Sequence, residues 1–195
     1  MSTTKSKILK AASELFIEGG IAALSVRAIS KRAGLSTIGI YSHFKGKQGI
    51  LDELYIEGFR LVMDAMRSDS LLTKPKESIL EGVKGYLKVA TEYEAHYRLI
   101  FGESDSSYTP SEEAKAAAEA AFERLVLVAS VLLPKDASRG KKQKTAFAIW
   151  ALVHGFVSLK HHAASTMINM DDWNNIALGA VSTHINAIVL KNKVA

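Results

Sequence analysis

Cysteine is absent from the 195 residues, which removes disulfides, thiolate metal sites and a cysteine nucleophile from consideration. The same absence suits a reducing compartment. Proline occurs 3 times and glycine 13 times, so little in the chain interrupts helix formation. No segment alternates apolar and polar residues as a half-buried strand does, and neither a repeat nor a low-complexity linker is present. The most apolar stretch, residues 145–159, is shorter than the ~20 residues of a membrane span and carries His154. Residues 1–10 are polar and lack the apolar core of an export signal, so a cytoplasmic protein is expected. Phosphate-binding glycine loops, nucleophile elbows and paired-carboxylate sites are missing too, so no catalytic residues and no cofactor are expected.

What is present is positive charge in one place. The net charge is +5. Residues 1–47 hold Lys5, Lys7, Lys10, Arg27, Lys31, Arg32, Lys45 and Lys47 against only Glu14 and Glu18, while the remainder of the chain is close to neutral. A basic excess confined to one end points to a polyanionic partner, nucleic acid before membrane. An ordinary solvated basic surface would show the same charge.

Apolar periodicity predicts an all-α chain of about nine helices. Ile8, Leu9, Ala12, Leu15 and Phe16 form one face of a first helix that Gly19-Gly20 ends. Ser25 can cap a second helix with Val26, Ile29 and Ala33 inside, closed by Gly34. Ser36 or Thr37 can cap a third, anchored by Ile40 and Phe44. A fourth carries Ile50, Leu51, Leu54, Phe59, Val62 and Met66. Beyond it the pattern predicts helices over 75–91, 93–101, 110–133, 141–162 and 172–190. Thr109 and Glu112 have the spacing of a capping box around Pro110.

The second and third helices, joined through residues 33–36, have the proportions of a helix-turn-helix spanning about residues 25–44. In such a motif the second of the pair lies in the major groove and the first braces it. With Ile40 and Phe44 turned inward, the outward residues are Thr37, Ile38, Tyr41, Ser42 and Lys45. Hydroxyls can bond base edges or phosphates, and Ile38 can touch a thymine methyl. Arg27, Tyr41, His43, Lys45 and Lys47 can reach phosphates, and Ser25 and Ser36 stand at the helix starts beside them.

Residues 24–47, with Ala33-Gly34-Leu35-Ser36 in the turn and Ile40-Tyr41-Ser42-His43-Phe44 in the third helix, closely resemble the DNA-binding domain of the tetracycline-repressor (TetR) family. The resemblance extends over about residues 5–60 and implies that Arg27, Thr37, Tyr41, His43 and Lys47 contact DNA. One departure is Gly39, where a small hydroxyl residue is more usual. The segment Trp150-Ala151-Leu152-Val153-His154-Gly155 resembles the Trp-His-Gly signature of one C-terminal domain type in that family, and residues 85–90 and 97–102 resemble its earlier helices.

Helical spacing puts Trp150, His154, Val157 and His161 on one face. His154 is open to two readings, a hydrogen-bonded core histidine or a group lining an effector pocket with Trp150, Tyr97, Phe101 and Phe147. The adjacent pair His161-His162 points in divergent directions and no acid stands at ligand spacing, so no metal site is expected. The resemblance implies that the last two helices pair with their copies in a dimer, with Ile176, Val181, Ile185, Ile188 and Val189 on the final helix. The expected organisation is thus a DNA-binding domain over residues 1–47 and an effector-binding and dimerisation domain over 48–195. The expected function is a ligand-responsive transcriptional regulator, a repressor, binding palindromic double-stranded DNA as a homodimer. A constitutive DNA-binding dimer without a small-molecule effector is the other reading.

Overall fold

The computed structural model describes residues 3–101, 108–160, 165 and 169–193. Its helices are α1 (Thr4–Gly19), a short 3-10 turn (Ile21–Ala23), α2 (Val26–Ala33), α3 (Thr37–Phe44), α4 (Lys47–Ala65), α5 (Pro75–Glu92), α6 (Glu94–Phe101), α7 (Glu112–Ser130), α8 (Arg139–Lys160) and α9 (Met170–Lys193). Among the described residues there are nine α-helices and no strand, as the periodicity predicts. No helix is long and apolar enough to cross a membrane among the described residues.

Helix starts follow from hydroxyl side chains that accept otherwise orphaned backbone N–H groups. Ser25 Oγ accepts from Ala28 at 3.1 Å and Ser36 Oγ from Gly39 at 3.3 Å. Gly34 closes α2 in the left-handed region at φ 67°. Two of the helix starts that differ from expectation have a visible cause. The Thr109–Glu112 box does not form; Ser111 caps α7 instead, with its Oγ on the Ala114 N–H at 3.2 Å. The reason is tertiary, because the Ser111 N–H is itself held by the Asp52 carboxylate at 3.1 Å. α8 begins at Arg139, two residues early, because Ser138 Oγ accepts from the Lys141 N–H at 3.3 Å.

The chain forms two compact units. The first, Met1–Leu61 with Glu92–Glu119, has a core of Ile8, Phe16, Ile29, Ile40, Ile50, Leu51, Leu54 and Leu99, all nearly inaccessible. The expected anchors Ile40 and Phe44 are both buried in it. The second, Val62–Thr91 with Ala120–Ala195, buries Ala146, Ile149, Val153 and Val157 of α8 and Trp173, Ala177, Val181 and Ile185 of α9. Spacings of three and four residues make each set a single stripe. These units divide the chain differently from a boundary at residue 47, since the first takes in most of α4, all of α6 and the start of α7.

Two glycines mark close helix approaches. A Cβ on Gly85 would stand 2.8 Å from the Ala65 Cβ, so α4 and α5 pack backbone to backbone there. A Cβ on Gly49 would overlap the carbonyl of Phe44, so the first turn of α4 tucks directly under the end of α3.

Candidate nucleic-acid interface

The backbone of the first unit sets α3 with one buried edge and one open face. Ile40 and Phe44 hold the buried edge, while Ile38 and Tyr41 are 77% and 58% exposed. Large apolar or aromatic groups so exposed on a short helix serve a partner more readily than the fold. Thr37, Ser42, His43 and Lys45 are exposed with them, as are Ser25 and Arg27 at the start of α2. The structure therefore brings nine of the ten expected DNA-contacting residues to accessible positions on or beside the two helices.

Lys47 is the tenth and behaves differently. It is half-buried, and its ammonium donates to the Ile21 carbonyl at 2.9 Å. In this conformation it ties the start of α4 to the turn before α2. Ser25 and Ser36 spend their hydroxyl acceptors on capping, and Ser42 Oγ donates to the Gly39 carbonyl at 3.0 Å. These three serines thus hold local backbone, leaving Thr37, Ile38 and Tyr41 as the outward groups on the first turns of α3.

Electrostatics reinforces the face. Both acids of residues 1–47 converge on one cation: Arg32 makes a two-pronged contact to Glu18 at 2.8 Å and reaches Glu14 at 3.4 Å. Hydrogen bonding to Arg32 holds the Glu18 carboxyl below its ordinary value. No acid occurs on α3. The outward helix therefore carries no negative charge to oppose a phosphate backbone.

Lys45 occupies a left-handed position, φ 58°, where a non-glycine residue costs roughly 1–2 kcal/mol. Glycine would fit there without strain, although its flexible unfolded state offsets part of that gain. A side chain kept at a strained turn beside the open helix points to use of its charge. Lys45→Gly is expected to leave stability unchanged or raise it by up to about 1 kcal/mol, while weakening DNA binding and lowering the log–log salt slope by about 1. Titrations at several salt concentrations, paired with thermal melts, check both signs.

The residues expected to line an effector pocket separate into two groups. Tyr97 and Phe101 belong to the first unit, packed edge to face at 5.1 Å, with Phe59 against Phe101 at 5.6 Å. Phe147, Trp150 and His154 belong to the second. There Trp150 Nε1 donates to the Tyr86 hydroxyl at 3.2 Å, and that hydroxyl lies 3.5 Å from His154 Nδ1. Ser158 Oγ is 3.5 Å from His154 Nε2. Because the Tyr86 hydroxyl accepts from the indole, its own proton is available to Nδ1 of a neutral imidazole protonated at Nε2. Burial pushes the His154 imidazole down, which favours this neutral form. Phe122 and Phe147 flank the indole at 6.4 and 5.8 Å. Tyr86 is the partner that sequence reasoning did not single out; its signal was a tyrosine on an otherwise apolar stripe, whose hydroxyl requires a bond once buried. His161 and His162 lie outside the described residues. Among the described residues no group of three His, Asp or Glu could hold a metal ion.

A short basic helix pair with an open apolar and hydroxyl-bearing face defines a helix-turn-helix DNA-binding protein. The chain belongs to the tetR family of bacterial regulatory proteins, whose N-terminal model matches residues 8–54, while a tetracyclin repressor-like C-terminal domain matches residues 79–172. It is a transcriptional regulator and not an enzyme. It is 23% identical over 194 residues to the uncharacterized HTH-type transcriptional regulator YobS of Bacillus subtilis (strain 168), covering 97% of this chain and 95% of YobS. Similarity to YttP of the same organism, named as a probable HTH-type transcriptional regulator, is 29% over 104 residues, and spans 52% of this chain and 50% of YttP. The crystal structure of PfmR, a TetR family transcriptional regulator from Thermus thermophilus, has the same fold, with a TM-score of 0.64 at 18% identity over 93% of this chain and 96% of that one.

Proposed function

We propose that the protein is a ligand-responsive repressor that binds a palindromic operator as a homodimer through α8 and α9, in the cytoplasm where bacterial DNA is read. The observation that carries the dimer is an exposed row on each of these helices. On α8 the row is Phe147, Ala151, Gly155 and Leu159, four residues apart, with Phe147 57% and Leu159 54% exposed. On α9 it is Ile176, Gly179, Thr183, Ala187 and Leu190, with Leu190 63% exposed. A Cβ on Gly155 or Gly179 would meet nothing within 4 Å, so this chain's own packing does not require either glycine. Large apolar groups alternating with small ones suit a second helix surface pressed close. Val181 and Ile185, expected at this interface, are instead fully buried in the unit's own core. The stripe that remains free is the one through Ile176 and Leu190.

In this reading residues 1–47 read the DNA and residues 48–195 bind the effector and pair the subunits. The effector lies beside Trp150, Tyr86 and His154, where aromatic walls surround a few placed polar groups. A ligand favouring the state that binds DNA poorly lowers operator affinity by the same factor by which DNA lowers ligand affinity. A coupling of about 1–3 kcal/mol corresponds to roughly 5–150-fold release. The test begins with an operator selected from random duplexes and a screen for compounds that release it. In a Trp173→Phe background, an active compound should change Trp150 fluorescence. His154→Ala and Trp150→Phe should then lose most of the release while keeping DNA affinity within about twofold. Normal induction in both would place the effector elsewhere, and a screen in which only the constitutive reading survives would show operator binding insensitive to every compound.

A further inference from the structure

The first unit contains a polar cluster that ties the helix following α3 to a segment distant from it in sequence. Asp52, on the second turn of α4, accepts three donors at Oδ1: the Tyr108 hydroxyl at 2.9 Å, the Ser111 N–H at 3.1 Å and Gln48 Nε2 at 3.2 Å. Gln48 Nε2 also donates to the Thr109 carbonyl at 2.9 Å. Tyr108 is buried, its ring edge to face with Tyr55 at 6.0 Å and joined to the same core as Ile40 and Phe44. Burial, followed by the Asp52 carboxylate, pushes the Tyr108 hydroxyl far above its ordinary value, so it stays a donor.

What this cluster holds is the first two turns of α4. That part of the helix packs directly against the end of α3, where Gly49 lies against the Phe44 carbonyl, and is tied to the turn before α2 by Lys47 on the Ile21 carbonyl. The segment that holds it, residues 108–111, leads into α7, whose cap is Ser111 and whose later residues belong to the second unit. Nothing in the cluster is on the open face of α3.

We propose that Asp52, Tyr108 and Gln48 form a lock that positions the recognition helix, so that segment 108–111 is the point at which the rest of the chain biases DNA reading. This goes beyond DNA binding itself and does not depend on which effector the protein takes. A lock that is closed keeps the reading head in its competent arrangement. Opening it lowers apparent affinity by the fraction of molecules left competent, with no contact to DNA removed.

The experiment uses the full-length protein and a duplex selected by it from a random library. Tyr108→Phe removes one hydroxyl and keeps the ring in the core. It is expected to weaken binding by about tenfold, the size of one hydrogen bond to a charged group, at an unchanged salt slope and unchanged sequence preference. Asp52→Asn keeps an acceptor at the same place and should bind within about threefold of the wild type, whereas Asp52→Leu should bind no better than Tyr108→Phe. Hydrogen exchange at the Ser111 amide should slow when wild-type protein binds the duplex, and not in Tyr108→Phe. A salt slope that falls by about 1 in Tyr108→Phe would make the tyrosine a phosphate contact and overturn the lock. So would DNA affinity unchanged in both Tyr108→Phe and Asp52→Leu, whatever their melting temperatures.

Discussion

Gly49→Ala is expected to lower the melting temperature by roughly 6–12 °C, and with it the fraction of protein able to bind DNA. The added methyl meets the Phe44 carbonyl, which is backbone at the end of α3 and cannot rotate away. Relief requires α4 to shift relative to α3, against a core in which Phe44, Ile50 and Leu51 are all buried. Overpacking of this kind costs about 1–3 kcal/mol or more, and a rigid obstacle puts the cost at the upper end. For a chain of this size each kcal/mol is worth roughly 2–4 °C. Gly39→Ala, ten residues away on α3, is the control with the opposite sign. Its Cβ would meet only Ser36 Oγ, at an ordinary 3.9 Å, so alanine should stabilise the helix by up to about 1 kcal/mol. Thermal melts of the two variants and the wild type decide the matter. A Gly49→Ala protein that melts with the wild type would show that α3 and α4 are not locked at this point.

The contrast between these two glycines shows where sequence reasoning stops. Both lie in helical pattern, and a sequence assigns both the same intrinsic penalty. Only the tertiary placement of Phe44 separates them. What periodicity can see is which face of a helix turns inward, and here Ile8, Phe16, Ile29, Ile40 and Phe44 were all legible as anchors because their spacing is the helical repeat itself. Caps were legible where a hydroxyl had no rival, as at Ser25; for α3 the sequence offers Ser36 or Thr37, and Ser36 is the cap. At Thr109–Glu112 a distant carboxylate, Asp52, claimed the Ser111 N–H and moved the start of α7 by two residues. No local rule anticipates a partner 59 residues away.

The open face of α3 was legible for the same reason as its buried edge. Lys47 was not, because a lysine beside a recognition helix and a lysine bonded to a carbonyl across a turn have the same sequence context. The residues expected to line a pocket were legible singly, as aromatic and polar groups on apolar helices, but where each would fall was not. Tyr97 and Phe101 fall in one compact unit and Trp150 and His154 in the other, and the residue that joins the latter pair, Tyr86, stands 64 positions before Trp150. On α9 the difficulty was that apolar residues fall on more than one stripe, Ile176 and Leu190 beside Val181 and Ile185. Periodicity could not tell which stripe its own domain uses, and the structure assigns Val181 and Ile185 to the core.

That assignment decides how the dimer must be tested. Ile185→Glu would place a carboxylate in the core and unfold the chain, whatever its assembly. Gly155→Glu is the informative substitution. In the isolated subunit its side chain enters open space, and replacing a glycine within a helix stabilises it by up to about 1 kcal/mol. In a dimer built on the α8 row, the same side chain lies between Ala151 and Leu159 and forces an unpaired charge into an apolar contact. The expected result is a folded monomer at micromolar concentration in sedimentation, with a melting temperature no lower than that of similarly monomeric protein. Operator affinity should fall by about 10²–10⁴, because two linked heads gain that much over one from effective concentration alone. Gly140→Glu is the matched control: that glycine also has open space around it but sits in the first turn of α8, seven residues before the row begins at Phe147. It should remain dimeric and keep its operator affinity. If Gly155→Glu sediments as a dimer and binds the operator as the wild type does, the exposed rows of α8 and α9 are not the surface through which two copies meet.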